Sequence, residues 1–185
     1  MQDYKDILAE ILIDAAKLQT RIAELGAEIS ADYPDGNLLL VCILRGGVPF
    51  LVDLSRNITS PHMMDFMAVS SYGTGKRESS GAVRVAMDLQ MDIRDKDVVL
   101  VEDIVDSGNT IASVLELLHV RQPRSLKVCA LLDKPERRET AVPIHYRGFE
   151  IPNKFVFGYG LDLDEYYRNL PFVGVVDLKK YKSSD

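Results

Sequence analysis

Val98 to Thr110 reads VVLVEDIVDSGNT. Val98–Val101 is apolar without alternation, as a strand is when both of its faces are covered in a parallel sheet. Glu102 and Asp103 arrive together at the end of that run. A turn-forming stretch follows, Asp106-Ser107-Gly108-Asn109-Thr110, and Ile111–Val120 has helical spacing. Open α/β sheets bind ligands outside the carboxyl ends of their strands, where loops lead into helices. Residues 106–110 offer a glycine for close approach, the hydroxyls of Ser107 and Thr110, and the free N–H groups of a helix start. Together these make a cradle for phosphate. The same residues also suit a plain helix start, with Ser107, Asn109 or Asp106 as its N-cap. The Glu102-Asp103 pair weighs against that plainer reading, because adjacent carboxylates repel and need cations or hydroxyl donors beside them.

Working outward, Leu38–Leu44 (LLLVCIL) is a second buried strand. It runs into Arg45-Gly46-Gly47 and a helix over Val48–Arg56, another arrangement suited to an anion. From Tyr4 to about Ile29 the apolar residues Ile11, Ala15, Leu18, Ile22, Leu25 and Ile29 step by four and three, which predicts one long helix packed on the sheet. A coiled coil has the same spacing, but there are fewer than four clean heptads. Pro34-Asp35-Gly36-Asn37 is a turn. Further strands are expected over His62–Val69, Val83–Leu89, Ser125–Leu132, Tyr146–Ile151, the apolar part of Lys154–Asp162, and Phe172–Val176. Between the first and second of these strands lies a polar, glycine- and serine-rich loop, residues 70–81, long enough to act as a lid.

The 185 residues are 46% hydrophobic and 27% charged, enough apolar material for a real core in one domain. A formal charge of −6, with no basic run longer than pairs such as Arg137-Arg138, argues against nucleic acid or a membrane surface as partner. Anionic ligands must then be met by local cations, amides and metal. Cys42 and Cys129 each sit in an apolar run and read as buried free thiols in a reducing compartment. No apolar stretch reaches membrane-spanning length, and the first residues do not read as a signal peptide. His62, His119 and His145 lack metal-ligand spacing.

Glu102–Thr110 resembles the sugar-phosphate motif of the type I phosphoribosyltransferases, which use phosphoribosyl pyrophosphate (PRPP). EDIVDSGNT is most similar to the bacterial hypoxanthine (guanine) branch, and the likeness extends over roughly Leu38–Leu178. The resemblance implies an α/β fold with a mainly parallel sheet flanked by helices, a core over about 38–178, and a small hood built from the N- and C-terminal segments. It implies transfer of 5-phosphoribosyl from PRPP to hypoxanthine or guanine, giving IMP or GMP and pyrophosphate, with Mg2+ as cofactor. It further implies a cytoplasmic homodimer or homotetramer with small-molecule substrates.

The residues carry over one by one. Glu102 and Asp103 match the carboxylates on the ribose hydroxyls and its metal. Ser107, Gly108, Asn109 and Thr110 match the 5-phosphate loop. Asp106 matches the general acid/base that handles the N7 proton. Leu44, Arg45 and Gly46 match a pyrophosphate-contacting loop in which the Leu44–Arg45 peptide can be cis, and Arg168 an arginine beside that pyrophosphate. Ser71 and Tyr72 match the mobile loop. LLDKPERR places Lys134 where an ammonium donates to the exocyclic O6 of a 6-oxopurine. Lys154, Phe155 and Val156 fall in the purine-binding segment, where the match to Phe155 stacks on the base and the match to Val156 offers backbone groups. Asp162 matches a carboxylate that holds a magnesium shared with pyrophosphate. Three other readings stand beside this one. They are a regulator on the same fold, a phosphoribosyltransferase for another base (xanthine above all), and a generic nucleotide-binding fold, though no G-x-G-x-x-G or G-x-x-x-x-G-K-[ST] is present.

Overall fold

In the computed structural model, which describes residues 2–71 and 83–182, the run Val98–Val101 lies in the middle of a six-stranded sheet. The strands that build it are β2 (Leu38–Ile43), β3 (His62–Ser71), β4 (Val83–Met87), β5 (Asp97–Val105), β6 (Ser125–Asp133) and β7 (Tyr146–Glu150). Their order is β4-β3-β2-β5-β6-β7, parallel throughout except for β4, which runs antiparallel to β3. The unalternating apolar runs have the expected cause: successive residues enter different cores. Leu38, Leu40, Cys42, Val99, Val101 and Cys129 pack with helices α2 (Ala15–Asp32) and α3 (Val48–Asn57). Leu39, Val41, Val98, Leu100 and Val128 pack with helix α4 (Asn109–His119). Period-two side chains covered on both faces leave no position for a polar residue.

The chain leaves β2 for β3 on one side and later returns to β5 on the other. The switch point of the sheet therefore lies between β2 and β5, where such folds open a crevice. The β2–β5 ladder ends at Cys42↔Val101, while β5 stays paired to β6 as far as Val105↔Asp133. Glu102 and Asp103 thus lie inside a strand, which runs four residues past Val101, with their β2 side open. Strand β6 supplies the partners that extend it.

The long helix expected from Tyr4 is three elements: a helical turn α1 (Tyr4–Ile7), a strand β1 (Leu8–Ile13) and α2. The Asp14 carboxylate accepts from Lys17 N (2.9 Å) and caps α2. Leu18, Ile22, Leu25 and Ile29 do form the buried stripe, but Ile11 is 51% exposed and Ala15 is exposed. β1 pairs antiparallel with β9 (Val173–Val176), which also holds the two-residue strand β8 (Val156–Phe157). This second sheet, order β1-β9-β8, joins segments near both ends of the chain. Backbone pairing with a distant strand overrode a spacing that a helix also satisfies. No helix among the described residues is long and apolar enough to cross a membrane.

Candidate active site

Three loops meet at the switch point. The first follows β5. Helix α4 begins after Gly108, whose φ of +88° is a left-handed conformation, and no side chain caps it. The plain-cap reading of Ser107, Asn109 or Asp106 therefore fails. Ser107 Oγ only receives Asn109 N at 3.3 Å. The first-turn N–H groups of α4 have no carbonyl within the helix to bind. They open on a cleft of about 110 Å3 lined by Glu102, Ile104, Val105, Asp106, Ser107, Gly108, Thr110 and Ile111. That suits a phosphate held by amides, hydroxyls and the positive end of the helix. Asn109 does not line this cleft; its side chain turns to Glu139 and Thr140.

Glu102 lines this cleft, and Asp103, next on the strand, lies against Gly46 of the loop after β2. Glu102 Oε2 is out of solvent and accepts no hydrogen bond. Burial first, and then the charge of Asp103, push the Glu102 carboxyl well above the usual carboxylate range. Burial also raises Asp103, against the opposing effects of the Ile104 N–H, Glu102 and the Arg168 charge. Two carboxylates held this way favour a proton, a cation or a pair of hydroxyl donors between or beside them. Among the described residues no three His, Cys, Asp or Glu gather into a metal site.

The second loop follows β2. The Leu44–Arg45 peptide is cis, and Gly46 is brought against Asp103. Arg45 reaches out to Glu165 Oε2 (2.5 Å). The third loop, residues 158–168, closes on the second. Arg168 Nη1 donates to Gly160 O, and Gly160 N donates to Arg168 O, both at 2.8 Å. Arg168 Nη2 lies 2.9 Å from Asp162 and 3.4 Å from Glu165 Oε2. One carboxylate oxygen of Glu165 thus contacts both arginines expected to meet pyrophosphate.

Beyond the end of β6, Lys134 is buried although charged, with only 6% of its surface exposed. Burial lowers its ammonium pKa, with Arg137 acting in the same direction and Asp106 against it. Its Nζ is 4.0 Å from Asp106 Oδ2, and Arg137 Nε donates to Asp106 Oδ1 at 3.1 Å. Phe155 is 51% exposed, while Val156 is buried and paired with Val175. Lys154 turns its ammonium to Glu10 of β1. Tyr72 lies outside the described residues, and of Ser71 only its backbone place at the end of β3 is described. Sequence reasoning missed Arg137, Glu165 and the Glu139-Thr140 pair. The Arg137-Arg138 dipeptide beside Lys134 was the available signal for the first; the others are ordinary exposed residue types.

A sheet open at its switch point, a cleft at a helix start and a buried carboxylate pair are the features of an α/β protein built to take a phosphorylated ligand. Residues 9–164 match the family model described as a phosphoribosyl transferase domain, and the chain belongs to that family. The particular relatives are more specific. The chain is 50% identical to the hypoxanthine phosphoribosyltransferase of Salmonella typhimurium, over 91% of this chain and 96% of that protein. It is 49% identical to the hypoxanthine-guanine phosphoribosyltransferase of Mycobacterium avium, over 97% of this chain and 91% of that one. A crystal structure of a hypoxanthine phosphoribosyltransferase from Staphylococcus aureus superposes with a TM-score of 0.92 at 42% identity, covering 97% of both chains. The architecture is the type I phosphoribosyltransferase fold.

Proposed function

We propose that this protein is a purine-salvage enzyme that transfers 5-phosphoribosyl from PRPP to hypoxanthine or guanine, giving IMP or GMP and pyrophosphate. The observation that carries the reading is the position of buried Lys134 within 4.0 Å of Asp106, which itself lines the cleft with Glu102, Ser107, Gly108 and Thr110. A donor-only cation there selects a base bearing an oxygen at position 6. A carboxylate beside it serves the base's own proton.

The chemistry follows from charge. The bond from ribose carbon 1 to pyrophosphate breaks with its electron pair leaving on the pyrophosphate, and the purine N9 forms the new bond. Asp106 accepts the N7 proton as N9 attacks. Ser107, Gly108, Asn109 and Thr110 hold the 5-phosphate by loop amides and hydroxyls, and Glu102 and Asp103 take the two ring hydroxyls. Leu44, Arg45, Gly46 and Arg168 meet the departing pyrophosphate, whose charge they offset. Phe155 stacks on the base, with Lys154 and Val156 in the same segment. The carboxylates present fit Mg2+: the buried, unpartnered Glu102 Oε2 calls for a cation or hydroxyl donor. Glu102 with Asp103 would hold one such ion beside the ribose and Asp162 another beside the pyrophosphate, where bound ions would neutralise phosphate charge.

The reading includes one catalytic domain, with the three-stranded sheet as its hood, and assembly as a homodimer or homotetramer; the family resemblance supports both. It includes a cytoplasmic setting, supported by two buried free thiols. The test is a panel assay. Pyrophosphate release from PRPP with Mg2+ should be fast with hypoxanthine or guanine and slow with adenine and orotate, with xanthine deciding the choice at position 2. Equal rates with adenine would contradict the assignment of Lys134.

A further inference from the structure

The segment after Lys134 doubles back along the phosphate loop and grips it from behind. Glu139 N and Thr140 N both donate to Ser107 O, at 2.9 and 3.0 Å. A Cβ on Gly108 would fall 2.3 Å from Thr140 O, so the two backbones touch there. The Asn109 side chain is used on both of its ends. Its Nδ2 donates to Glu139 Oε2 at 2.8 Å, and its Oδ1 accepts from Thr140 Oγ1 at 2.5 Å. Asn109 is thereby turned out of the cleft that its neighbours Gly108 and Thr110 line. A carboxylate beside a phosphate site is electrostatically unfavourable in itself. Among the described residues, the side-chain hydrogen bond that ties Glu139 to this loop is the one from Asn109.

We propose that Glu139 and Thr140 are positioning residues for the 5-phosphate. Acting through Asn109, they form a latch that holds residues 106–110 in the one conformation that turns its amides toward the phosphate. A loop already fixed in its bound shape loses little entropy when the ligand arrives. The inference rests on the PRPP reading and adds to it a pair of residues that never touch the ligand.

Steady-state kinetics of Glu139→Ala and Thr140→Ala test it. Each should raise KM for PRPP about 5- to 15-fold, the scale of one hydrogen bond. Both kcat and KM for hypoxanthine should stay within about twofold, because Asp106 and Lys134 are left in place. Glu139→Gln keeps an acceptor for Asn109 and Thr140→Ser keeps the hydroxyl, so both should return KM to near wild type. In a double-mutant cycle, Asn109→Ala combined with Glu139→Ala should cost no more than the larger single change. If Glu139→Ala does not fold, the Thr140→Ala and Thr140→Ser pair reads the same latch from its other arm. Unchanged or lowered KM for PRPP in the alanine variants overturns the latch. So does a parallel loss of kcat, both KM values and melting temperature that the conservative variants fail to rescue. Wild-type protein that releases no pyrophosphate from PRPP overturns the enzyme reading and the latch together; active wild type with indifferent variants overturns the latch alone.

Discussion

Gly46 and Asp103 are pressed together: a methyl group built on the glycine would lie 1.6 Å from Oδ2 of the aspartate. The loop after β2 and the carboxylate pair of β5 are therefore one assembly, although their ladder has already ended. Gly46→Ala must push either the loop or the carboxylate out of place. A misplacement near 1 Å costs on the order of 100-fold in rate, so kcat/KM for PRPP should fall by about that factor or more. A melting curve run beside the kinetics separates this from unfolding, and near-normal kcat/KM would show that the contact is not needed.

Asp106 faces Lys134 and Arg137 from the mouth of the phosphate cleft. Asp106→Asn keeps the shape and removes the base. Turnover should drop about 10^2- to 10^4-fold, with PRPP affinity by direct binding changed little. Loss of affinity in place of turnover would move Asp106 from chemistry to sugar binding.

Lys134→Ala should act on the base rather than the sugar. A bond from a charged donor contributes roughly 1.5–3 kcal/mol, so KM for hypoxanthine should rise about 10- to 100-fold while PRPP binding holds. Equal losses for both ligands would mean that the base sits elsewhere.

Glu102 gives a stability prediction with a definite sign. Its carboxyl is raised in the folded protein by burial and by Asp103, so the fold favours the protonated form. Stability is then full below the ordinary glutamate range, about 4.3, and is lost as pH rises through the raised folded value. Glu102→Gln does not titrate. The ligand-free variant should be more stable than wild type at pH 8, by about 1 kcal/mol or more, with a gap that narrows as pH falls. Added PRPP and Mg2+ should raise the wild-type melting temperature by more than that of the variant. A variant less stable than wild type at pH 8 would contradict the account.

Much of this was legible because each feature depends on near neighbours in sequence. Val98–Val101 read as a doubly covered strand, and Asp106–Thr110 carried its own turn chemistry and helix start. The roles proposed for Lys134 and Asp162 come from resemblance, since a lone charge after a strand says nothing about what it faces. Residues 8–13 misled because their apolar spacing fits a helix as well as a strand. What decides between them is β9, some 160 residues away. The pairs Arg45–Glu165 and Asn109–Glu139 are likewise made by folding, 120 and 30 residues apart, and no local pattern marks them.

The most direct test of the central claim is a crystal structure of the protein soaked with PRPP and Mg2+. The account predicts the 5-phosphate against the amides of residues 107–110, the ribose hydroxyls on Glu102 and Asp103, and the pyrophosphate beside Leu44–Gly46. Density for the sugar phosphate anywhere else, with that cleft left to solvent, would contradict it.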